Sequence, residues 1–240
     1  MRNAWLIASK EFRSYLASPM AYIVTCIFLI LTGVFFVYYL TSNNYNDTSI
    51  SGYVQNPYFF LIFLLLTALI TMRLLSEEKK LGTWELLLTS PVKDSEVILG
   101  KFLGAMGLLL AMLVLTLYYP LILVIFGDPD MGPILTSYLG MILLGSSALA
   151  VGIFASSLTT NQIISAVVSG GILVGLWFLG TMAQSAPTAL KSVFNYISLS
   201  GHFSTFAIGV IDTRDVIYYL SVTVLFLYLS IRSIEQGRWS

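Results

Sequence analysis

Six apolar runs, each long enough to cross a bilayer, constrain this chain more than any other feature. They fall at about residues 20–40, 57–75, 97–126, 134–158, 163–183 and 214–231. A helix rises about 1.5 Å per residue, so each run approaches or matches the roughly 30 Å of a hydrocarbon core. Composition agrees, with 57% hydrophobic and 10% charged residues and a mean hydropathy of +0.86. Soluble domains carry about 25% charged residues. The expected fold is an all-α membrane protein with six transmembrane helices, forming a single transmembrane domain over 1–240.

Ahead of the first run, residues 3–16 place Trp5, Ala8, Phe12, Tyr15 and Leu16 at helical spacing, with Lys10 and Arg13 elsewhere, which predicts an amphipathic interfacial helix. No small-residue cleavage pattern follows the first run, so it is expected to stay as an anchor. Twelve acids balance twelve bases, and this neutrality points away from a nucleic-acid partner. The distribution is more informative. With six spans and both ends inside, the inner segments hold Arg2, Lys10, Arg13, Arg73, Lys79, Lys80, Lys93, Lys101, Arg232 and Arg238, and the outer ones only Lys191 and Arg214. A seventh span near Phe194 to Ile211 would put the basic tail outside and draw His202 into the bilayer. Arg73 and Lys101 are expected to snorkel from their span ends, and Asp94 or Ser95 to cap the third span, whose far half Pro120 can kink.

Between the second and third runs, residues 76–96 form the main water-facing segment on the inner side. Gly82 can end one helix in the left-handed conformation, Thr83 can cap the next, Glu85 lies in its first turn and Pro91 stops it. Trp84, Leu86, Leu87 and Leu88 are too few to span a membrane and suit packing against another protein. The alternative is an amphipathic loop helix resting on the bilayer.

Elsewhere, Gly100 and Gly104, Ala148 and Gly152, and Gly171 and Gly175 stand four apart, a spacing that allows close helix approach. Thr159, Thr160, Asn161 and Gln162 form a polar, uncharged second inner loop. Residues 187–210, punctuated by Pro187, Gly201 and Gly209, predict short outer-leaflet or re-entrant helices whose Phe194, Tyr196, Phe203 and Phe206 suit an interfacial gate. Cys26 reads as a small buried hydrophobe, His202 as a hydrogen-bonded loop residue, and Asn46-Asp47-Thr48 as a low-specificity sequon. There is no G-x-x-x-x-G-K-[ST] loop, no H-E-x-x-H and no G-x-S-x-G, so neither ATP hydrolysis nor a zinc or serine hydrolase is expected of this chain, and no metal site is assigned.

Glu77, Glu78, Gly82, Thr83, Glu85, Leu87, Leu88, Pro91 and Val92 together resemble the E-E-x-x-x-G-T-x-E-x-L-L-x-x-P-V pattern of ABC-2 type transporter permeases. KEFRSYLASPMAYI from Lys10, MRLLSEE from Met72, LGKFLGA from Leu99, SSLTTNQIISA from Ser156 and GVIDTRDVIYYLS from Gly209 are similar to the same family, in its gliding-motility-associated and copper-enzyme-maturation branch. The resemblance implies a permease that dimerises with a second copy or a related chain, in a bacterial inner membrane. It also implies that residues 76–96 carry a coupling helix seated in a separate ABC ATPase subunit, which would hold ATP and Mg. Glu77, Glu78, Gly82, Thr83, Trp84, Glu85, Leu86, Leu87, Leu88 and Pro91 would make that contact, and Thr159 to Gln162 a minor second one. The expected activity is export or flipping of a substrate. The alternative is a non-transporting subunit that passes ATPase motion to an envelope or periplasmic partner.

Overall fold

A computed structural model describes residues 2–42, 50–83, 92–127, 129–185 and 187–237. The sequon and Trp84 to Pro91 lie outside the described residues. Helix α1 (Arg2–Ala17) is separated from α2 (Pro19–Ser42) by Ser18 alone, because Pro19 has no N–H to continue the ladder. A short α3 (Ile50–Val54) precedes α4 (Pro57–Thr71), which Asn56 caps by accepting from Tyr58 N at 2.9 Å. Pro57 occupies the first turn, where a missing N–H costs nothing. After the turn at 72–75 comes α5 (Ser76–Lys80).

The third apolar run is one span in two pieces, α6 (Asp94–Leu115) and α7 (Tyr118–Phe126). The break falls at Thr116 and Leu117, one turn before Pro120, whose missing N–H and ring prevent the regular bond to the Thr116 carbonyl, which instead accepts from Tyr119 N at 3.0 Å. The N-cap of α6 is Lys93, without a side-chain bond, so Asp94 and Glu96 lie inside the first turn rather than capping it. There their charges favour the helix dipole. Helices α8 (Met131–Ser157), α9 (Gln162–Ser185), α10 (Thr188–Ile197), α11 (Leu199–Ala207) and α12 (Thr213–Gly237) complete the described chain, which contains no strand. Among the described residues, six helical stretches are long and apolar enough to cross a membrane, as the six runs require.

Helix α8 is the centre of the bundle, with 78% of its apolar window buried. Lipid tails are as apolar as leucine, so helices in a membrane gain by close van der Waals packing at small residues. A Cβ on Gly140 would stand 2.8 Å from that of Phe206, one on Gly145 would stand 2.8 Å from Leu109 Cδ1, and one on Gly152 would overlap the Thr71 hydroxyl. By contrast α2 and α9 bury only 28% and 22% of their windows. Cys26 is exposed on α2, because burial there follows Ala21, Val24, Phe28, Thr32 and Phe36 around a different face.

Helix α1 lies in a groove on α6. A Cβ on Gly100 would come within 2.7 Å of Ile7 Cβ and 2.9 Å of the Ala4 carbonyl, and one on Gly104 within 2.6 Å of Glu11 Cβ. Small residues on both sides set this approach, so the buried face of α1 runs through Ala4, Ala8 and Tyr15, while Trp5 is 70% exposed. The groove selects the small stripe over the bulky one that the apolar spacing emphasised.

Candidate functional site

The polar end of the bundle is assembled from α1, α5, the start of α6 and the junction between α8 and α9. Leu75 cannot cap α5 with its side chain, and Ser156 does so from across the bundle: its Oγ accepts from Leu75 N and Ser76 N, each at 3.1 Å. Lys79 Nζ donates to the Ser157 carbonyl, setting a cation against the C-terminal end of α8. One residue group further, Asn161 starts α9 by accepting from Ile163 N at 2.9 Å, and Thr159 Oγ1 accepts from Asn161 N at 3.1 Å. Thr160 and Asn161 are exposed, and Thr159 and Gln162 half-buried. The two loops expected on the inner side therefore meet at one end of the molecule.

Lys101 does not snorkel. It is 2% exposed, and its Nζ lies 2.8 Å from Glu11 Oε1 and 2.8 Å from Glu78 Oε1. An ammonium this deep persists only when paired, because desolvating it alone costs several kcal/mol, roughly the Born penalty after relaxation. The carboxylates come from α1 and α5, so one cation ties three helices together. Glu78 Oε2 is buried and accepts no hydrogen bond from the described residues.

Beside this cluster lies an open cavity of about 470 Å³ lined by Lys10, Glu11, Tyr15, Arg73, Glu77 and Glu78, among others. Tyr15 donates to the Ile70 carbonyl at 2.8 Å, and the Arg73 guanidinium sits 5.2 Å from its ring centre while bonding Ser18 Oγ at 3.1 Å. Burial pushes the Tyr15 phenol above its ordinary range, and the Glu11 charge adds to that. Arg73 thus folds back onto α1 instead of reaching outward.

Gly82 adopts φ 71, the left-handed conformation that ends a helix, and Thr83 Oγ1 donates to the Glu78 carbonyl at 3.3 Å. From there the chain leaves the described residues and returns at Val92 to begin α6. Trp84, Glu85, Leu86, Leu87, Leu88 and Pro91 lie between these points, outside the described residues. Glu78 on α5 and Lys101 on α6 flank them in sequence, and their ion pair joins the two helices.

A family model described as ABC-2 family transporter protein matches residues 37–231. The chain belongs to that family. Among curated proteins it is similar to the probable multidrug ABC transporter permease YbhS of Escherichia coli, strain K12, at 28% identity over 179 residues, which is 71% of this chain and 45% of that protein. The same protein of Escherichia coli O157:H7 matches with the same identity and coverage. The chain thus spans less than half the length of these relatives.

At the opposite end of this ABC-2 family protein, α10 and α11 pack beside the first turn of α4 and the start of α12 around an open cavity of about 730 Å³. The four aromatic residues expected as a gate separate here. Tyr196 is 54% exposed and, with Phe203, lines the cavity; Phe206 lies in the core, its backbone carbonyl accepting from Thr136 Oγ1 at 2.6 Å; Phe194 is half-buried on α10. His202 lies on α11 rather than in a loop, with Nδ1 2.6 Å from Asp215 Oδ1 and Nε2 2.9 Å from the Tyr196 carbonyl. The short helices expected over residues 187–210 are present as α10 and α11, but nothing in the sequence marked His202 and Asp215 as partners.

Proposed function

We propose that this chain is the membrane-spanning permease subunit of an ATP-binding cassette transporter, an exporter or flippase, driven by ATP that a separate ATPase subunit binds with Mg and hydrolyses. The Lys101 cluster carries the proposal. It ties α5 and α6, the helices on either side of residues 84–91, to each other and to α1, so in this reading a force applied to that segment passes into the membrane helices. In this reading Gly82, Thr83 and Glu85 shape the coupling helix, Trp84 and Leu86 to Leu88 fill the contact, and Thr159 to Gln162 make a smaller one. The end bearing α5 faces the cytosol, as the positive-inside rule requires, in a bacterial inner membrane.

The same reading includes a second permease copy. Spans α2 and α9 are the least buried, and a Cβ at Gly171 or Gly175 would meet nothing within 4 Å, which supports a seam on that side. Membership of the gliding-motility-associated and copper-enzyme-maturation branch belongs to the proposal as well.

The test is reconstitution of the chain with a genomically neighbouring ATPase in proteoliposomes. Substrate-stimulated hydrolysis with ATP-dependent movement of that substrate is expected. Hydrolysis that responds to an envelope protein, with no substrate moved, would replace transport by force transmission. Failure of the two proteins to associate would remove the coupling assignment.

A further inference from the structure

We infer that His202 and Asp215 form a proton-binding site that pins the elbow between α10 and α11 to the start of α12. The site stands at the end remote from the Lys101 cluster, and the transport reading does not use it. His202 is 6% exposed, and each ring nitrogen faces an oxygen. Nε2 is 2.9 Å from the Tyr196 carbonyl, which can only accept, so Nε2 carries a hydrogen. A neutral imidazole has no second N–H. The 2.6 Å contact between Nδ1 and Asp215 Oδ1 therefore needs one more proton, whether it sits on the nitrogen or on the carboxyl oxygen. In both arrangements the pair is neutral as a whole and shares that proton.

The surroundings hold the pair in register. Asp215 Oδ2 accepts from Thr205 Oγ1 at 2.5 Å. The Tyr218 ring stacks on His202 at 3.9 Å and 18°, and Tyr196 meets it edge-on at 5.8 Å. Among the described residues, the titratable and charged groups facing the pair are Tyr196 from α10, Tyr218 and Tyr219 from α12, and Arg214, which lies over the Tyr196 ring at 5.2 Å; Asp212 lines the same cavity. Three carbonyls at the elbow are taken by side chains: Tyr196 by His202, Ile197 by Tyr218 and Leu199 by Tyr219. Without the shared proton a nitrogen lone pair would face a carboxylate oxygen, and the tie between α11 and α12 would open. The tie therefore depends on that one shared proton. The cavity wall gives the pair access to solution.

His202 is the single histidine of the chain, so 15N-histidine labelling of the full-length protein in nanodiscs yields one set of ring signals. Near neutral pH we expect Nε2 to be protonated and Nδ1 to be displaced from the free lone-pair position, with a far-downfield bridging proton. An Nδ1 signal at the free lone-pair position would overturn the site. Asp215→Asn should remove the bridging proton and move Nδ1 to the unprotonated position; a spectrum unchanged from wild type would also overturn it. Amide exchange over residues 196–207, corrected for intrinsic rates, should step up at the pH where the wild-type histidine signal changes. Exchange without such a step would refute the pinning.

Discussion

Lys101 shows how burial turns a common surface residue into a structural joint. A lysine just inside a long apolar run has the pattern of one that reaches back to water, and its partner Glu11 is 90 positions away, so no local spacing announces the pair. Only the approach of α1 to α6 brings them together. Replacing Lys101 with Met leaves two carboxylates facing an apolar group and should cost about 3–5 kcal/mol, the usual penalty for breaking a buried pair from one side. The triple change Glu11→Gln, Glu78→Gln and Lys101→Met should recover most of it. Unfolding curves of the purified variants in detergent check both values, and a Lys101→Met protein as stable as wild type would contradict the assignment. Gly82 was legible, because a glycine between helix-forming segments marks a left-handed stop, and its φ is 71. Glu85 is the complementary case: the motif singles it out and the structure does not describe it. Glu85→Ala should leave the six spans folded while weakening assembly with the ATPase or uncoupling hydrolysis from movement, both measurable on the co-purified complex.

Among the elements, the spans were readable from run length alone, since about 20 apolar residues admit few other uses in a helical protein. The break in the third span was readable too, because Pro120 must disturb the turn before it. The buried face of α1 was not. Apolar spacing favours Trp5 and Leu16, yet contact with α6 is decided by what fits against Gly100 and Gly104. Adding a methyl at Gly100 brings it to 2.9 Å from the Ala4 backbone carbonyl, which cannot turn aside. Gly100→Ala should therefore destabilise by about 1–3 kcal/mol, the range for overpacking, and should detach α1 before it disturbs the central helix α8. Accelerated amide exchange confined to α1 and the neighbouring face of α6 is the expected signature. Gly175→Ala, which adds its methyl to open space, should leave the fold of a single chain unaffected and act on contacts made with another molecule.

For the molecule as a whole, the described helices form a bundle with two different ends. One gathers Glu11, Glu78, Lys79, Lys101 and the α8–α9 loop beside the points where the described chain stops at Thr83 and resumes at Val92; the other holds the His202 elbow and its cavity. The count of spans follows from hydropathy, and the proposed orientation rests on the ten basic residues assigned to one side against two on the other. What hydropathy could not supply is which loops meet, because that depends on hydrogen bonds such as Ser156 to Leu75 and Ser76 that cross the bundle. In a Cys26→Ser background, a cysteine at Asp130 should react with an impermeant thiol reagent added outside intact cells, and one at Lys80 should not; the reverse pattern would invert the orientation. The coupling assignment itself is tested most directly by placing a photo-crosslinking amino acid at Thr83 or at Ser192 in cells that also express the ATPase. A permease–ATPase adduct from position 83 and none from position 192 is the predicted result. An adduct from position 192 with none from position 83 would contradict it.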